Sequence, residues 1–368
     1  MRTVQRGSLL IEMMISTVIG ALLLSGALTV MLNSRTNYMT RETLSRMEER
    51  GHLALALLSE DIRMSGYRGC AADSEEAVTV AIDASYRSWW KPEGGLRGWN
   101  FANSSFKTKL DLYNLQDSSF HASSWLPANS TEKPVSSDLV TGSDVLELWV
   151  AQPWITHLTA TGSTTLMADP KTIGAFPEYT DSDQQRLLLV SDCDRSVLVK
   201  AEKFDRKTGQ INLDNAVTNS RAVALDSMIN AQATVVQGVL YYLATPSGRQ
   251  RPGLYRREIN ADGSLDSAVE IVPGILNVQF LYGENTDLDS SANRYVDAEQ
   301  VTDWNRVNSV RIFVLVESEE KQSSQAPHGF YYFGSDYQAE DSEDHLIRRQ
   351  FTTTIALRNR ALGRSTGL

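Results

Sequence analysis

SLLIEMMISTVIGALLLSGALTVML, residues 8–32, carries one charge, Glu12, in an otherwise uncharged run. As a helix this run is about 37 Å long, enough to cross a hydrocarbon core of roughly 30 Å. Before it stands MRTVQRG (1–7), with two arginines and no acid. That bias keeps the start in the cytoplasm and sends the remainder outward. A secretory signal is the competing reading, but its apolar region is about 7–15 residues long and ends in a small-residue cleavage motif. This run is longer, and no A-x-A site follows before Asn33. A plain signal anchor accounts for the length and the arginines. It leaves Glu12 unexplained, because a carboxylate at mid-membrane costs about 2.5–3.5 kcal/mol and usually has a partner or a task.

The helical pattern continues. No proline occurs before Pro92. Leu44, Met47, Ala54, Leu55, Leu58 and Ile62 form an apolar stripe close to a helical period. Arg41, Glu42, Arg46, Glu48, Glu49 and Arg50 supply mixed charges suited to i,i+4 pairing. Gly51 is a candidate bend, and the glycines of SGYRGC (65–70) are stop signals. The expected helix, from about Leu9 to Ser65, is about 85 Å long. Residues 8–32 face lipid or like helices, and the amphipathic half, 33–66, must bury its stripe. A coiled-coil stalk is the alternative; the shortness of the stripe favours packing on the chain's own head.

Over 368 residues, 42% hydrophobic and 22% charged content excludes global disorder. A net charge of −10 makes a poor phosphate binder, so no nucleic-acid partner is expected. Two cysteines are too few for a disulfide scaffold or a Cys-based zinc site, and five scattered histidines make a poor metal centre. No cofactor is expected.

Residues 67–142, rich in Ser, Asn, Asp and Gly, read as an irregular connection. Trp89, Trp90, Trp99 and Trp125 within it either cover apolar surface or offer a partner-binding face. From 143 to 368 the chain reads as a β-rich head. Strands are expected at 144–150, 186–191, 196–204, 233–244, 253–259, 268–272, 275–283, 307–318 and 350–359, with turns at KTG (207–209) and ADG (261–263). With no β-α-β alternation, a mostly antiparallel sheet packed on the helix is expected.

RGSLLIE (6–12) resembles the type IV prepilin leader: a short basic segment, a glycine before the cut, and Glu at the fifth mature position. The resemblance implies cleavage between Gly7 and Ser8 by a prepilin peptidase, removal of residues 1–7, and methylation of the new terminus at Ser8. The usual first mature residue is Phe, and Ser8 departs from that pattern. A freed ammonium on Ser8 of one subunit then pairs with Glu12 of its neighbour. Two charges about 4 Å apart attract by roughly 4 kcal/mol at an effective dielectric near 20, which registers an incoming subunit.

RMSGYRGC (63–70), PGLYRR (252–257), NVQFLYG (277–283), VNSVRIFVLVES (307–318) and FTTTIALRN (351–359), in this order, resemble the PilW-type minor pilins of type IV pili. That family implies an α+β, type IV pilin-like fold, with the long N-terminal helix packed on a mostly antiparallel sheet head. It also implies a subunit that primes pilus assembly at or near the tip, with roles in twitching motility and cell adhesion. The implied partners are other minor pilins and the major pilin through the helix, and a PilY-type tip adhesin. The precursor would sit in the inner membrane with its head in the periplasm, and the assembled subunit on the cell surface. A J-like minor pseudopilin of a type II secretion system shares the leader and is the nearest alternative.

Cys70 and Cys193, the two thiols, are expected to form a disulfide in an oxidising compartment, worth up to about 5 kcal/mol in the chain-entropy model; two buried free cysteines are the alternative. NTDLDSSAN (285–293) resembles a degraded calcium loop with Asp287 and Asp289 as weak calcium candidates. Ser290 replaces the turn glycine, so a solvated Asp-rich loop is favoured. GRSTG (363–367) matches a nucleophile-elbow pattern without the strand–helix context it needs. With no catalytic residues to name, a membrane-anchored envelope enzyme is the least favoured reading. For processing, Gly7→Ala should leave residues 1–7 attached, read as the intact mass of the chain; a mature-length product contradicts the leader assignment.

Overall fold

The computed structural model describes residues 6–69, 78–82, 95–102, 104–107, 110, 112, 125–126, 139–169, 171–172, 186–192, 194–214, 225–226, 228–245, 251–287, 291–319, 321, 329–338, 344–357 and 359. A single α-helix, α1 (Arg6–Met64), opens the chain. Among the described residues, strands follow: β1 (Thr79–Ala81), β2 (Leu96–Phe101), β3 (Trp125–Leu126), β4 (Val145–Thr161), β5 (Thr165–Ala168), β6 (Arg186–Ser191), β7 (Ser196–Asp205), β8 (Gln210–Leu213) and β9 (Gln232–Ala244). The second set is β10 (Gly253–Ile259), β11 (Val269–Pro273), β12 (Ile275–Glu284), β13 (Arg294–Val296), β14 (Val307–Glu317), β15 (Phe330–Tyr332), β16 (Ser335–Tyr337) and β17 (Arg348–Ala356).

At 59 residues α1 is about 88 Å long. Its carboxyl-terminal half buries Met47, Gly51, Ala54, Leu55, Leu58 and Ile62, one stripe at three- and four-residue spacing that Ser65, just past the helix, extends. The stripe packs on β14, β17, β4 and β11. Its core neighbours include Leu146 and Leu148 of β4, Tyr241 of β9, Phe280 of β12, Ile312 and Val314 of β14, and Phe351 of β17. Burying each large stripe residue contributes about 1.5–3 kcal/mol.

Gly51 does not interrupt the helix. A Cβ built on it would lie 2.4–2.6 Å from ring carbons of Phe351, so the missing side chain is what lets β17 approach. The ring also meets His52 edge-on, with centroids 5.5 Å apart.

In the four-stranded sheet, ordered β13-β12-β14-β17, both faces of β14 are covered. Val310, Ile312 and Val314 face the helix. Phe313 and Leu315, on the opposite face, meet Leu110, Leu112 and the β15–β16 hairpin.

The large sheet holds eleven strands, ten of them along the path β11-β10-β9-β6-β7-β8-β5-β4-β2-β3. β4 also pairs with β9. The ring β4-β5-β8-β7-β6-β9 therefore closes into a six-stranded antiparallel barrel around Leu158, Leu166, Val190, Val199, Phe204 and Ile211. Two long strands belong to both parts. Residues 238–244 of β9 pair with β10, whereas residues 232–236 pair with β6. β4 shifts register between Ala151 and Ile155. There the Thr234 hydroxyl donates to the carbonyls of Gln152 and Trp154, both at 3.0 Å.

The type IV pilin-like fold class is corrected. Instead of one compact sheet on the helix, the described residues form three sheets, and the largest partly closes into a barrel. Sequence periodicity locates strands but is blind to which neighbour each half of a long strand takes. Several expected strands have close counterparts in β6, β7, β9, β10, β12 and β14. The second half of β4 and the short strands β5, β8, β13, β15 and β16 were not expected. β1, β2 and β3 stand within 67–142, much of which lies outside the described residues.

Gly51→Ala should lower stability by about 1–3 kcal/mol through overpacking against Phe351, despite alanine's better helix propensity. Thermal unfolding of the full chain in detergent measures this. Adding Phe351→Leu should recover part of the loss if the ring contact is the cause.

Candidate functional site

The amino-terminal half of α1 has no packing partner among the described residues. Every large apolar side chain from Leu10 to Leu32 is at least 51% exposed. Four of its hydroxyls, on Ser16, Thr17, Ser25 and Thr29, are satisfied within the helix. Ser16 donates to the Glu12 carbonyl at 2.7 Å, and Thr17, Ser25 and Thr29 donate to the carbonyls of Met14, Leu22 and Ser25, each at 2.9 Å. Such back-bonding leaves none of these four hydroxyls seeking water. Helix α1 is long and apolar enough to cross a membrane. The Glu12 carboxylate is exposed and makes no hydrogen bond or ion pair among the described residues. Gly7 and Ser8 lie in the first turn of α1, one turn before Glu12.

The carboxyl-terminal half is held by polar contacts as well as by its stripe. Asp61 accepts from the Tyr241 hydroxyl at 2.5 Å and from Arg256 Nε at 3.3 Å. Burial, followed by the adjacent Asp61 carboxylate, pushes the Tyr241 hydroxyl far above its ordinary pKa, so tyrosine remains the donor. Arg256 also pairs with Glu258 at 2.6 Å. Nearer the exposed half, Arg50 pairs with Glu319, and Arg349 with Glu48 at 2.6 Å. The hydrogen bond from Arg50 lowers the Glu319 pKa despite partial desolvation. At the helix end the Asn359 amide donates to the Ser65 carbonyl at 3.2 Å.

The sequence reading gave Glu319 no role; the fold makes it an anchor of the helix. It foresaw i,i+4 pairing, and Arg46 and Glu42 pair at 2.7 Å. It missed the long-range anchors Asp61, Tyr241 and Arg349, because nothing local marks partners nearly 200 residues or more apart.

Cys70, Cys193 and Asp289 lie outside the described residues. The segments beside the two cysteines do meet: Ser196 Oγ donates to the Arg68 carbonyl at 2.5 Å, and Gly69 stands against Ser191. The Asp287 carboxylate accepts from the Asn293 amide at 2.8 Å. Nearby Glu284 is fully buried and accepts from Arg294 at 2.6 Å and from the Thr302 and Asp303 amides at 3.1 Å. Burial raises its pKa, but these bonds outweigh burial and leave it lowered. Trp99 and Trp125 are buried, and the Trp125 indole donates to the Ser143 carbonyl at 2.9 Å. Trp89 and Trp90 lie outside the described residues.

Residues 240–359 match the family model for PilW, type IV pilus-assembly protein W. The match spans about a third of the chain and supports a type IV pilus-associated protein. No curated protein matches the chain significantly. The matched segment supplies Tyr241, Arg256, Glu319, Arg349, Phe351 and Asn359, the head's side of each helix anchor named above. The barrel strands β5 to β8 and the exposed helix half fall outside it.

Asp61→Ala should cost about 2–3 kcal/mol by leaving the Tyr241 hydroxyl without its acceptor and Arg256 with Glu258 as its remaining carboxylate partner. Tyr241→Phe should cost about 1 kcal/mol. Urea unfolding of the full chain in detergent compares the two; equal losses would contradict the dual role of Asp61.

Proposed function

We propose that this chain is a non-catalytic minor pilin that primes type IV pilus assembly and sits at or near the pilus tip. The observation that carries this reading is the division of α1. One half is locked into a socket built by the pilus-assembly segment together with β4, and the other is an apolar rod without a packing partner among the described residues, with Glu12 as its only charge from residue 8 to 32.

The physical sequence follows from that division. In the precursor, residues 8–32 cross the inner membrane, with the head in the periplasm. A prepilin peptidase cuts between Gly7 and Ser8, and the Ser8 ammonium is methylated. Leaving lipid for a bundle of like helices preserves the rod's apolar surroundings, so transfer needs no rehydration of its side chains. Glu12 then sets axial register, because an unpaired carboxylate in such a bundle is costly until a neighbour's ammonium reaches it. The other minor pilins and the major pilin are partners through the rod, and a PilY-type adhesin is a partner of the head. The assembled subunit serves twitching motility and adhesion at the cell surface.

Glu12→Ala should leave cleavage after Gly7 intact while lowering surface fibres at least tenfold. Fibre counts by electron microscopy, with the intact mass of the chain, provide the check. Unchanged fibre numbers would sink the registering role.

A further inference from the structure

Two carboxylates are enclosed in the head without a cation beside them. Asp144, immediately before β4, is 2% exposed, and Asp297, immediately before the short 3₁₀ turn Ala298–Gln300, is 4% exposed. Neither forms an ion pair among the described residues. A buried carboxylate left in that state usually neutralises rather than stay charged.

Their hydrogen bonds show what they hold. Asp144 accepts from the Phe280 amide of β12 at 2.9 Å and from the Phe101 amide at the end of β2 at 3.4 Å. Its own amide donates to the Val278 carbonyl at 2.9 Å. It thereby joins β2 and β4 of the large sheet to β12 of the helix socket. Asp297 accepts from the Phe106 amide and the Ser105 hydroxyl. One short connection is therefore held at both ends, Phe101 by Asp144 and Phe106 by Asp297. Phe101 meets Trp125 edge-on, with centroids 5.1 Å apart, and Phe106 meets Phe333 at 5.2 Å. The connection thus ties two separate apolar clusters together.

The groups around the pair offer it no positive charge. Tyr282 faces it from β12, Tyr332 from β15 and Glu299 from the 3₁₀ turn. Lys107, next along the connection, lies over the Phe106 ring, 5.7 Å from its centroid. Tyr332 donates to Asn277 at 2.9 Å, whereas the buried Tyr282 hydroxyl and Asp297 Oδ1 make no hydrogen bond among the described residues. Burial lifts Asp144 well above the ordinary carboxylate range despite its amide bonds, and the Asp297 charge lifts it further. Burial also raises Asp297, with Glu299 adding to it. Burial and then Asp144 push both tyrosines well above their usual value, so they stay neutral.

We propose that Asp144 and Asp297 form a proton-operated clasp: one proton held by the pair keeps the connection from Phe101 to Phe106 seated between the two sheets, and its loss as pH rises loosens the head there. In the unfolded chain an aspartate titrates near pH 3.9. The clasp's stability is therefore complete below about that pH and is lost as pH rises through the higher folded values, by up to about tenfold in the unfolding constant per pH unit. Glu284 and Glu319 are lowered by folding, so they act in the opposite sense and in more acid solution. The clasp belongs to the geometry of the head and does not depend on the pilus-subunit reading.

Urea unfolding of the full chain in detergent, from about pH 5 to about pH 8, is the test. The parent's unfolding constant should rise about tenfold or more across that range, and Asp144→Asn should hold the rise to about threefold or less. A parent that loses no stability overturns the clasp. So does an Asp144→Asn chain weakened by the same factor at every pH, which is what a purely structural carboxylate would give. Where Asp144→Asn does not fold, Asp297→Asn decides. Removing the facing charge should make the rise smaller and end it at lower pH, and a rise equal to the parent's overturns the pair. Infrared spectra of the parent near about pH 6 should also show the carbonyl band of a protonated carboxyl; its absence overturns the proposal.

Discussion

One helix passing through two environments is the constraint on which the rest depends. α1 is continuous from Arg6 to Met64, yet its first half offers apolar side chains all round and its second half only a stripe. The first half suits lipid or like helices, and the second is stable only against a head. The stripe's deepest contact is also its least tolerant one, because Phe351 fills the space that a Gly51 side chain would take. Register between helix and head therefore follows from shape, with Asp61, Arg50 and Glu48 adding direction to the fit.

The head solves a second problem with its long strands. A strand of 17 residues cannot stay flat beside one partner, because sheet twist accumulates along it. β4 breaks register after Ala151, and the Thr234 hydroxyl takes up two carbonyls at the break. Beyond that point β4 and β9 stop serving the helix and begin to close the barrel. One pair of strands thus links a helix-binding half to a separate hydrophobic core.

Function divides along the same line. The pilus-assembly match falls on the helix socket, whereas β5 to β8 lie outside it. Anchoring and whatever the barrel contacts are therefore borne by different cores, and a change in one need not disturb the other.

Residues 8–32, the Gly7–Ser8–Glu12 spacing and the stripe from Met47 to Ile62 were legible in the sequence because helical periodicity and apolarity are local properties. Many strands were legible too, through runs such as VNSVRIFVLVES (307–318). Sheet membership was not, since a strand's own residues do not say which distant segment supplies its hydrogen bonds, and β4 supplied two answers. The anchors Asp61, Tyr241, Arg256 and Glu319 look like ordinary surface or strand residues until folding brings them within about 3 Å of their partners. The sequence alone determined that an apolar rod bearing one acid, Glu12, precedes an amphipathic helix. Tertiary structure alone decided where that helix is gripped and that a barrel stands beyond it, because both depend on contacts between residues far apart along the chain.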